Sequence, residues 1–135
     1  MMQTYTFGDA DRAPLGAGTA IRFPTYYNHE GIIAYTHGGQ QVLLEKSKKY
    51  KVPRIGDPEE YRGFPYVISR APSSPAHAMS ILQRACAEID AGKPWTIFDN
   101  CQDFVSRAYS EKNGSETRNL AFGLATVVGV VIAIL

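Results

Sequence analysis

Short apolar runs separated by turn residues predict three β-strands in the first half of the chain. Gly31–Tyr35 and Gln41–Lys46 flank the segment Thr-His-Gly-Gly, which is typical of a hairpin. Tyr66–Arg70 is the third predicted strand, and Pro and Ser residues follow it. The segment 47–65 is rich in Lys, Arg and Pro, so we predict a surface loop there.

Apolar residues at helical spacing predict two helices after these strands. Ser74 is suited to cap the first helix and Pro75 to begin it, and Gly92 and Pro94 end it. Its apolar stripe comprises Ile81, Leu82, Ala85, Cys86 and Ile89. The second helix begins at Asp99 or Asn100, and one face carries Cys101, Phe104, Val105 and Ala108. We therefore predict an α+β fold with a small antiparallel sheet packed against helices.

The C-terminal segment 120–135 contains no charged residue, and thirteen of its sixteen residues are hydrophobic. A helix of that length would measure about 24 Å, whereas a bilayer core is about 30 Å thick. We expect either a short membrane anchor or a buried terminal strand or helix. The predicted organisation is an N-terminal arm or loop (1–19), a domain (20–112), a polar linker (113–119) and this segment.

Composition excludes several function classes. A chain of 135 residues with 44% hydrophobic and 11% aromatic residues is one folded domain. The net charge of +1 gives no basic excess for a nucleic-acid partner. Two cysteines and an acidic N-terminus without an apolar run predict a reducing compartment, on the cytoplasmic side of any membrane. Neither CxxC nor HExxH nor a glycine-rich phosphate loop is present, so we expect no metal and no cofactor.

Candidate chemistry lies on two short motifs. Cys101 falls in the first turn of the second predicted helix, where free amide hydrogens and the helix dipole stabilise a thiolate. His29 stands at the entry to the first predicted strand and is a candidate base for this thiol. We expect His29 to titrate near neutral pH, as such a base requires.

A third residue is expected to orient the histidine, and Glu45 is the candidate. If the hairpin loop is His37-Gly38-Gly39, Glu45 faces Gly31 and lies diagonal to His29 on the same face of the sheet. If the loop is Gly38-Gly39 alone, the register shifts by one residue and Glu45 moves to the other face.

Both cysteines also have a purely structural interpretation. Cys101 shares its helical face with Phe104, Val105 and Ala108, so packing in the core is an alternative to catalysis. Cys86 lies in the middle of the first helix on the apolar stripe, and we predict it to be a core residue.

The two motifs together resemble the lecithin:retinol acyltransferase-like family. Tyr27-Asn28-His29-Glu30-Gly31-Ile32-Ile33 is similar to its H-box, and Asn100-Cys101-Gln102-Asp103-Phe104-Val105 to its NC box. The resemblance covers roughly residues 20–112 and includes the order of histidine before cysteine. It implies a permuted NlpC-type, papain-like fold, with Tyr27 and Asn100 near the substrate or oxyanion. Acyltransferase members usually carry a second histidine on the next strand, where this chain has Glu45 or a neighbour.

The resemblance implies a thiol-dependent acyltransferase or lipid hydrolase that forms an acyl-thioester on Cys101. An acyl lipid or another acyl donor would be its partner, and the segment 120–135 would hold it at a membrane. Two alternatives stay open. One is a cysteine peptidase or amidase of the NlpC type, and the other is a catalytically silent interaction module such as some viral proteins with these motifs.

Overall fold

A computed structural model describes residues 5–7, 15–97, 99–110, 123–127 and 130–134. Its main element is an antiparallel sheet with the strand order β1-β6-β2-β3-β4-β5. The strands are β1 (Tyr5–Thr6), β2 (Ala20–Phe23), β3 (His29–Tyr35), β4 (Gln41–Lys46), β5 (Pro53–Gly56) and β6 (Pro65–Arg70). The two helices are α1 (Pro75–Ala91) and α2 (Cys101–Ala108). The predicted α+β class, a small antiparallel sheet with helices, is confirmed.

Helix α1 begins and ends where its capping residues predict, and α2 begins where its capping residue predicts. The Ser74 hydroxyl accepts a hydrogen bond from the His77 amide at 3.0 Å, and Pro75 occupies the first position of α1. Gly92 ends α1 with a φ of 68°, a left-handed conformation that side chains disfavour. Asn100 caps α2, as described below for the site.

The sheet buries a hydrophobic layer on each face. Successive side chains along β3 point to opposite faces of the sheet. Ile32 therefore packs with α1 and α2, whereas Ile33 packs on the opposite face. The helix-side layer includes Leu44, Ile81, Leu82, Cys86, Phe104 and Val105. The other layer includes Phe7, Ile21, Phe23, Leu43, Tyr61 and Tyr66. Because both faces are covered, the strands read as nearly continuous apolar runs, and Cys86 is a core residue as predicted.

The prediction of a surface loop over 47–65 is wrong in part. This segment contains β5 and a 3₁₀ helix, Pro58–Tyr61, whose first turn is capped by the Asp57 carboxylate. β5 was missed because it is a four-residue edge strand that begins with proline and contains an arginine. Pairing with β4 and burial of Tyr61 stabilise these elements, and neither is visible as local periodicity. β2, a central strand of only four residues, was missed as well.

The terminal segments are described only in part. Within the predicted N-terminal arm, Tyr5–Thr6 form β1 and pair with β6. In the apolar C-terminal segment, β7 (Gly123–Val127) and β8 (Val130–Ile134) form a two-stranded antiparallel sheet. No described helix combines the length and apolar character needed to cross a membrane. The predicted linker 113–119 lies outside the described residues, and the membrane anchor stays a prediction.

Candidate active site

His29 is the first residue of β3 and is almost completely buried. The two residues before it, Tyr27 and Asn28, have φ angles of 55° and 56°, which few non-glycine residues adopt. The His29 amide donates to the Tyr26 carbonyl at 3.0 Å and closes this turn. The turn therefore fixes where the chain enters β3 and where the imidazole lies.

Aromatic rings hold the imidazole from the side opposite the helices. The Phe23 and Tyr61 rings stack on it, with centroid distances of 6.2 Å and 5.4 Å. Tyr26 meets it edge-on at 6.3 Å. This packing restricts rotation of the ring, so its two nitrogens keep fixed directions.

Glu45 lies beside His29, as the three-residue hairpin loop predicts. Thr36 pairs with Gln40 through a 2.9 Å hydrogen bond, and Gly31 faces Glu45 in the β3–β4 register. Gly39 closes the loop with a φ of 88°, which requires glycine. The Glu45 Oε1 atom lies 2.8 Å from the His29 Nε2 atom, and the Glu45 side chain has no solvent exposure.

Two further side chains hold the Glu45 carboxylate. The Tyr61 hydroxyl donates to Oε1 at 2.5 Å, and burial together with Glu45 raises the pKa of Tyr61, so this donor stays protonated. The Arg54 Nη2 atom lies 2.9 Å from Oε2. Both residues come from the segment predicted as a loop, and neither was predicted to be near the site.

A glycine on β5 makes room for this carboxylate. A Cβ atom built on Gly56 would lie 2.0 Å from the Glu45 Oε2 atom, far inside van der Waals contact. Arg54 is in turn held by Glu60, whose Oε2 atom lies 2.5 Å from Nη2, and stacks over the Tyr50 ring at 3.4 Å. The edge strand thus positions the acid that faces His29.

Cys101 occupies the first position of α2, and its side chain is half-buried. The Asn100 Oδ1 atom accepts hydrogen bonds from the amides of Gln102 and Asp103 at 3.0 Å and 3.2 Å. The Asp103 carboxylate accepts from the Asn100 amide at 3.1 Å, which completes a capping box. The Cys101 amide has no intrahelical acceptor at this position, so it is available to an oxyanion.

Several contacts fix α2 against the sheet. The Gln102 side-chain amide donates to the Asn28 carbonyl at 3.3 Å, next to His29. Lys46, the buried residue after Glu45, places its Nζ atom 3.0 Å from the Asp99 carboxylate just before the helix. β3 and β4 are thereby joined to the helix that carries the thiol.

These contacts place the His29 imidazole between an acid and a thiol. Burial alone disfavours the imidazolium, but hydrogen bonds to Cys101 and Glu45 and their charges outweigh it and raise the pKa of His29 to about 9. This value lies above the near-neutral pKa expected from the sequence, because Cys101 and Glu45 both favour the charged ring.

The second cysteine has a different environment. Cys86 is buried among apolar side chains of α1, and burial, with a contribution from Asp90, raises its pKa to about 12. It has no imidazole neighbour among the described residues. Cys86 is therefore a natural internal comparison for Cys101.

A cavity of about 540 Å³ opens on the Cys101 thiol and the His29 imidazole. This volume is in the range of small-molecule sites. Tyr27, 91% exposed, stands at its rim, whereas Asn100 is not among the described residues that line it. The lining residues are Tyr26, Tyr27, His29, Ser47, Lys48, Lys49, Lys51, Trp95 and Cys101.

The structure thus brings together Cys101, His29 and Glu45, and it places Tyr27 beside them. The Asn100 side chain serves as the helix cap, and its role toward substrate stays a prediction. Among the described residues, no group of three or more His, Cys, Asp or Glu side chains is arranged to hold a metal ion. Comparison of the chain with models of protein families, with curated proteins and with solved structures finds no match.

Proposed function

We propose that the protein is a thiol-dependent acyltransferase or lipid hydrolase that works through an acyl-thioester on Cys101. One observation carries the proposal. Cys101 begins a capped helix beside a buried imidazole that hydrogen-bonds the fully buried Glu45 at 2.8 Å. Such a combination of nucleophile, base and orienting acid is characteristic of covalent acyl transfer.

The same observation supports the permuted papain-like assignment and the likeness to lecithin:retinol acyltransferases. The histidine strand precedes the cysteine helix along the chain, as in the permuted branch of this fold. Glu45 stands where acyltransferase members usually have a histidine. A carboxylate in this place retains the orienting role, since it accepts the hydrogen bond from Nε2 that fixes the imidazole.

The first step forms the thioester. The Cys101 thiolate, paired with the His29 imidazolium, attacks the carbonyl carbon of an ester, and a C–S bond forms. The Cys101 backbone amide donates to the resulting oxyanion. Collapse breaks the C–O bond, and the imidazolium gives its proton to the departing alkoxide.

The second step releases the acyl group. Neutral His29 takes a proton from water, an amine or an alcohol as that nucleophile attacks the thioester. The C–S bond breaks, and the thiolate–imidazolium pair is restored. Glu45 stabilises the charged imidazole in both steps without giving up its own charge.

Location at a membrane belongs to the same proposal. The apolar segment 120–135 would hold the cavity close to acyl lipids on the cytoplasmic side. The cavity supports an acyl substrate because most of its lining surface is apolar and two tyrosines and a tryptophan contribute to it.

The test is a search for the covalent intermediate in the full chain. The protein is mixed with a long-chain ester lipid in detergent micelles and examined by intact-mass spectrometry, alongside Cys101→Ala and Cys86→Ala. An acyl adduct is expected on the parent chain and on Cys86→Ala, and none on Cys101→Ala.

One outcome would contradict the proposed function. If the parent forms no adduct and iodoacetamide alkylates Cys101 no faster in the folded protein than in the urea-unfolded chain, the thiol is not activated. The proposal then fails, and a catalytically silent interaction module becomes the better interpretation.

A further inference from the structure

Three lysines share the cavity with the candidate dyad. Lys48, Lys49 and Lys51 lie on the connection between β4 and β5 and line the same space as Cys101 and His29. The described lining contains no acidic residue. The cavity wall thus carries three positive lysine charges in a chain whose net charge is only +1.

Among the described residues, none of these lysines makes a direct ion pair with a carboxylate, although Lys49 lies close enough to Glu60 to interact with its charge. Lys48 lies 5.9 Å from the centre of the Trp95 ring, and Lys49 lies 5.1 Å from that of Tyr50. Lys46, the nearest preceding lysine, is by contrast buried and paired with Asp99. The ammonium groups of these lysines therefore remain available to a bound anion.

The loop that carries the lysines has a defined backbone. The Lys51 amide donates to the Ser47 carbonyl at 2.9 Å, and the Tyr50 amide donates to the Ser47 hydroxyl at 3.2 Å. The Trp95 amide donates to the Lys51 carbonyl at 2.5 Å, which ties the loop to the segment before α2. The backbone that carries the three lysines is thereby held beside the cavity.

We propose that Lys48, Lys49 and Lys51 form a binding site for the headgroup of an acyl donor with a net negative charge, an anionic glycerophospholipid, and so favour it over a donor without net charge. A cleft lined by charges of one sign concentrates ligands of the opposite sign. The exposed side chain of Tyr27 and the half-buried side chain of Trp95 provide apolar contact surface for the acyl part. The inference rests on the proposed function and specifies its substrate class.

The reaction would follow the steps given above. With an anionic glycerophospholipid as donor, the Cys101 thiolate breaks an acyl ester bond, and the lysophospholipid leaves as an alcohol with the proton from His29. The headgroup stays bound to its glycerol and takes no part in bond changes. The lysines hold it, and so they position the ester carbonyl near Cys101.

The experiment compares two short-chain monomeric lipids on the full chain: dihexanoyl-phosphatidylglycerol, which is anionic, and dihexanoyl-phosphatidylcholine, which has no net charge. The measured quantity is the ratio of their rates of adduct formation on Cys101. We expect this ratio to be about ten for the parent chain. It should approach one in Lys48→Gln/Lys51→Gln. Arg62→Gln/Lys93→Gln loses the same net charge away from the cavity and should keep the parent ratio.

A second measurement separates this inference from the proposed function. An ether-linked analogue of the anionic lipid cannot acylate the thiol, but by occupying the cavity it should slow alkylation of Cys101 by iodoacetamide. We expect protection in the parent and none in Lys48→Gln/Lys51→Gln. Protection without any acyl adduct from the ester lipids would overturn acyl transfer and leave the anion site standing. Equal adduct rates for both ester lipids would overturn the anion site and leave acyl transfer standing.

A final arm identifies the source of the negative charge. The rates are repeated on phosphatidylcholine vesicles with and without phosphatidylglycerol. A preference for the monomeric anionic lipid means that the lysines bind the donor itself. A preference seen only on vesicles means that the lysines bind the charged membrane surface, and it overturns a site for the donor itself. Both preferences should disappear at about 1 M salt, where the Debye length is about 3 Å.

Discussion

At the residue scale, the His29 imidazole is charged although it is almost completely removed from water. Its partners explain this, because the Glu45 carboxylate and the Cys101 thiol both favour the protonated ring. A raised pKa in the folded state means that the charged ring stabilises the fold. The stabilisation is complete below the unfolded value of 6.5 and is lost as pH rises through about 9.

The resulting prediction concerns stability against pH. The free energy of unfolding of the parent, minus that of His29→Gln, should decrease by roughly 3 kcal/mol at most between pH 6 and pH 9.5. Urea denaturation at both pH values measures it. In the Cys101→Ala background the same difference should change less with pH, since the thiol makes the largest contribution that raises the pKa of His29. A difference that does not change with pH would contradict the ion-pair description.

Glu45 and Glu60 are a matched pair of carboxylates, because both contact Arg54 and only Glu45 contacts His29. Glu45→Gln should lower the pKa of His29 and slow alkylation of Cys101 at pH 7 by about tenfold or more. Glu60→Gln should change that rate by less than about twofold, since the Glu60 side chain is 34% exposed and does not contact His29. Alkylation followed by mass spectrometry measures both, and equal effects of the two substitutions would show that the acid does not act through His29.

The residues of the candidate dyad could be predicted from sequence because local rules mark them. Cys101 follows a capping residue, and His29 opens an apolar run. The prediction of Glu45 depended on the length of the hairpin loop. The sequence allowed two loop lengths, and each gives a different register. Arg54 and Tyr61 could not be found in this way, since they reach Glu45 only after β5 and the 3₁₀ helix fold back over β4.

At the element scale, β5 affects the site through Gly56, whose lack of a side chain leaves room for the Glu45 carboxylate. Gly56→Ala should push the Glu45 carboxylate off His29 and Arg54, because the new methyl group would overlap the Oε2 atom. We expect a loss of stability of about 1–3 kcal/mol and slower alkylation of Cys101. Urea denaturation and alkylation rates measure the two effects.

Gly38→Ala is the control for this substitution. Gly38 lies in the hairpin loop, and the nearest atom to an added Cβ is the Thr36 hydroxyl at 3.9 Å, an ordinary contact. It should retain both stability and thiol reactivity. If Gly56→Ala behaves like Gly38→Ala, the close approach of β5 to Glu45 does not constrain the acid.

At the scale of the whole molecule, the site joins parts of the chain that are distant in sequence. His29 and Glu45 come from a hairpin near the N-terminus, whereas Cys101 comes from the last described helix before residue 110. The strand periodicity and the caps predicted these elements separately. Their contact depends on packing of α1 and α2 on the sheet and on the Lys46–Asp99 ion pair, which no local pattern encodes.

Activation of Cys101 should therefore be lost only when the whole domain unfolds. In a urea series at pH 6.5, brief exposure to iodoacetamide should label Cys101 and leave Cys86 unlabelled in the native range, because Cys86 is buried with a pKa of about 12. Beyond the transition the two thiols should react at the same rate, since the unfolded chain gives neither a partner. Peptide mass spectrometry measures both, and their midpoints should coincide if the domain unfolds in one step. A loss of Cys101 reactivity at clearly lower urea than the exposure of Cys86 would mean that α2 separates from the sheet first. The thiol would then depend on a local contact instead of on the complete fold.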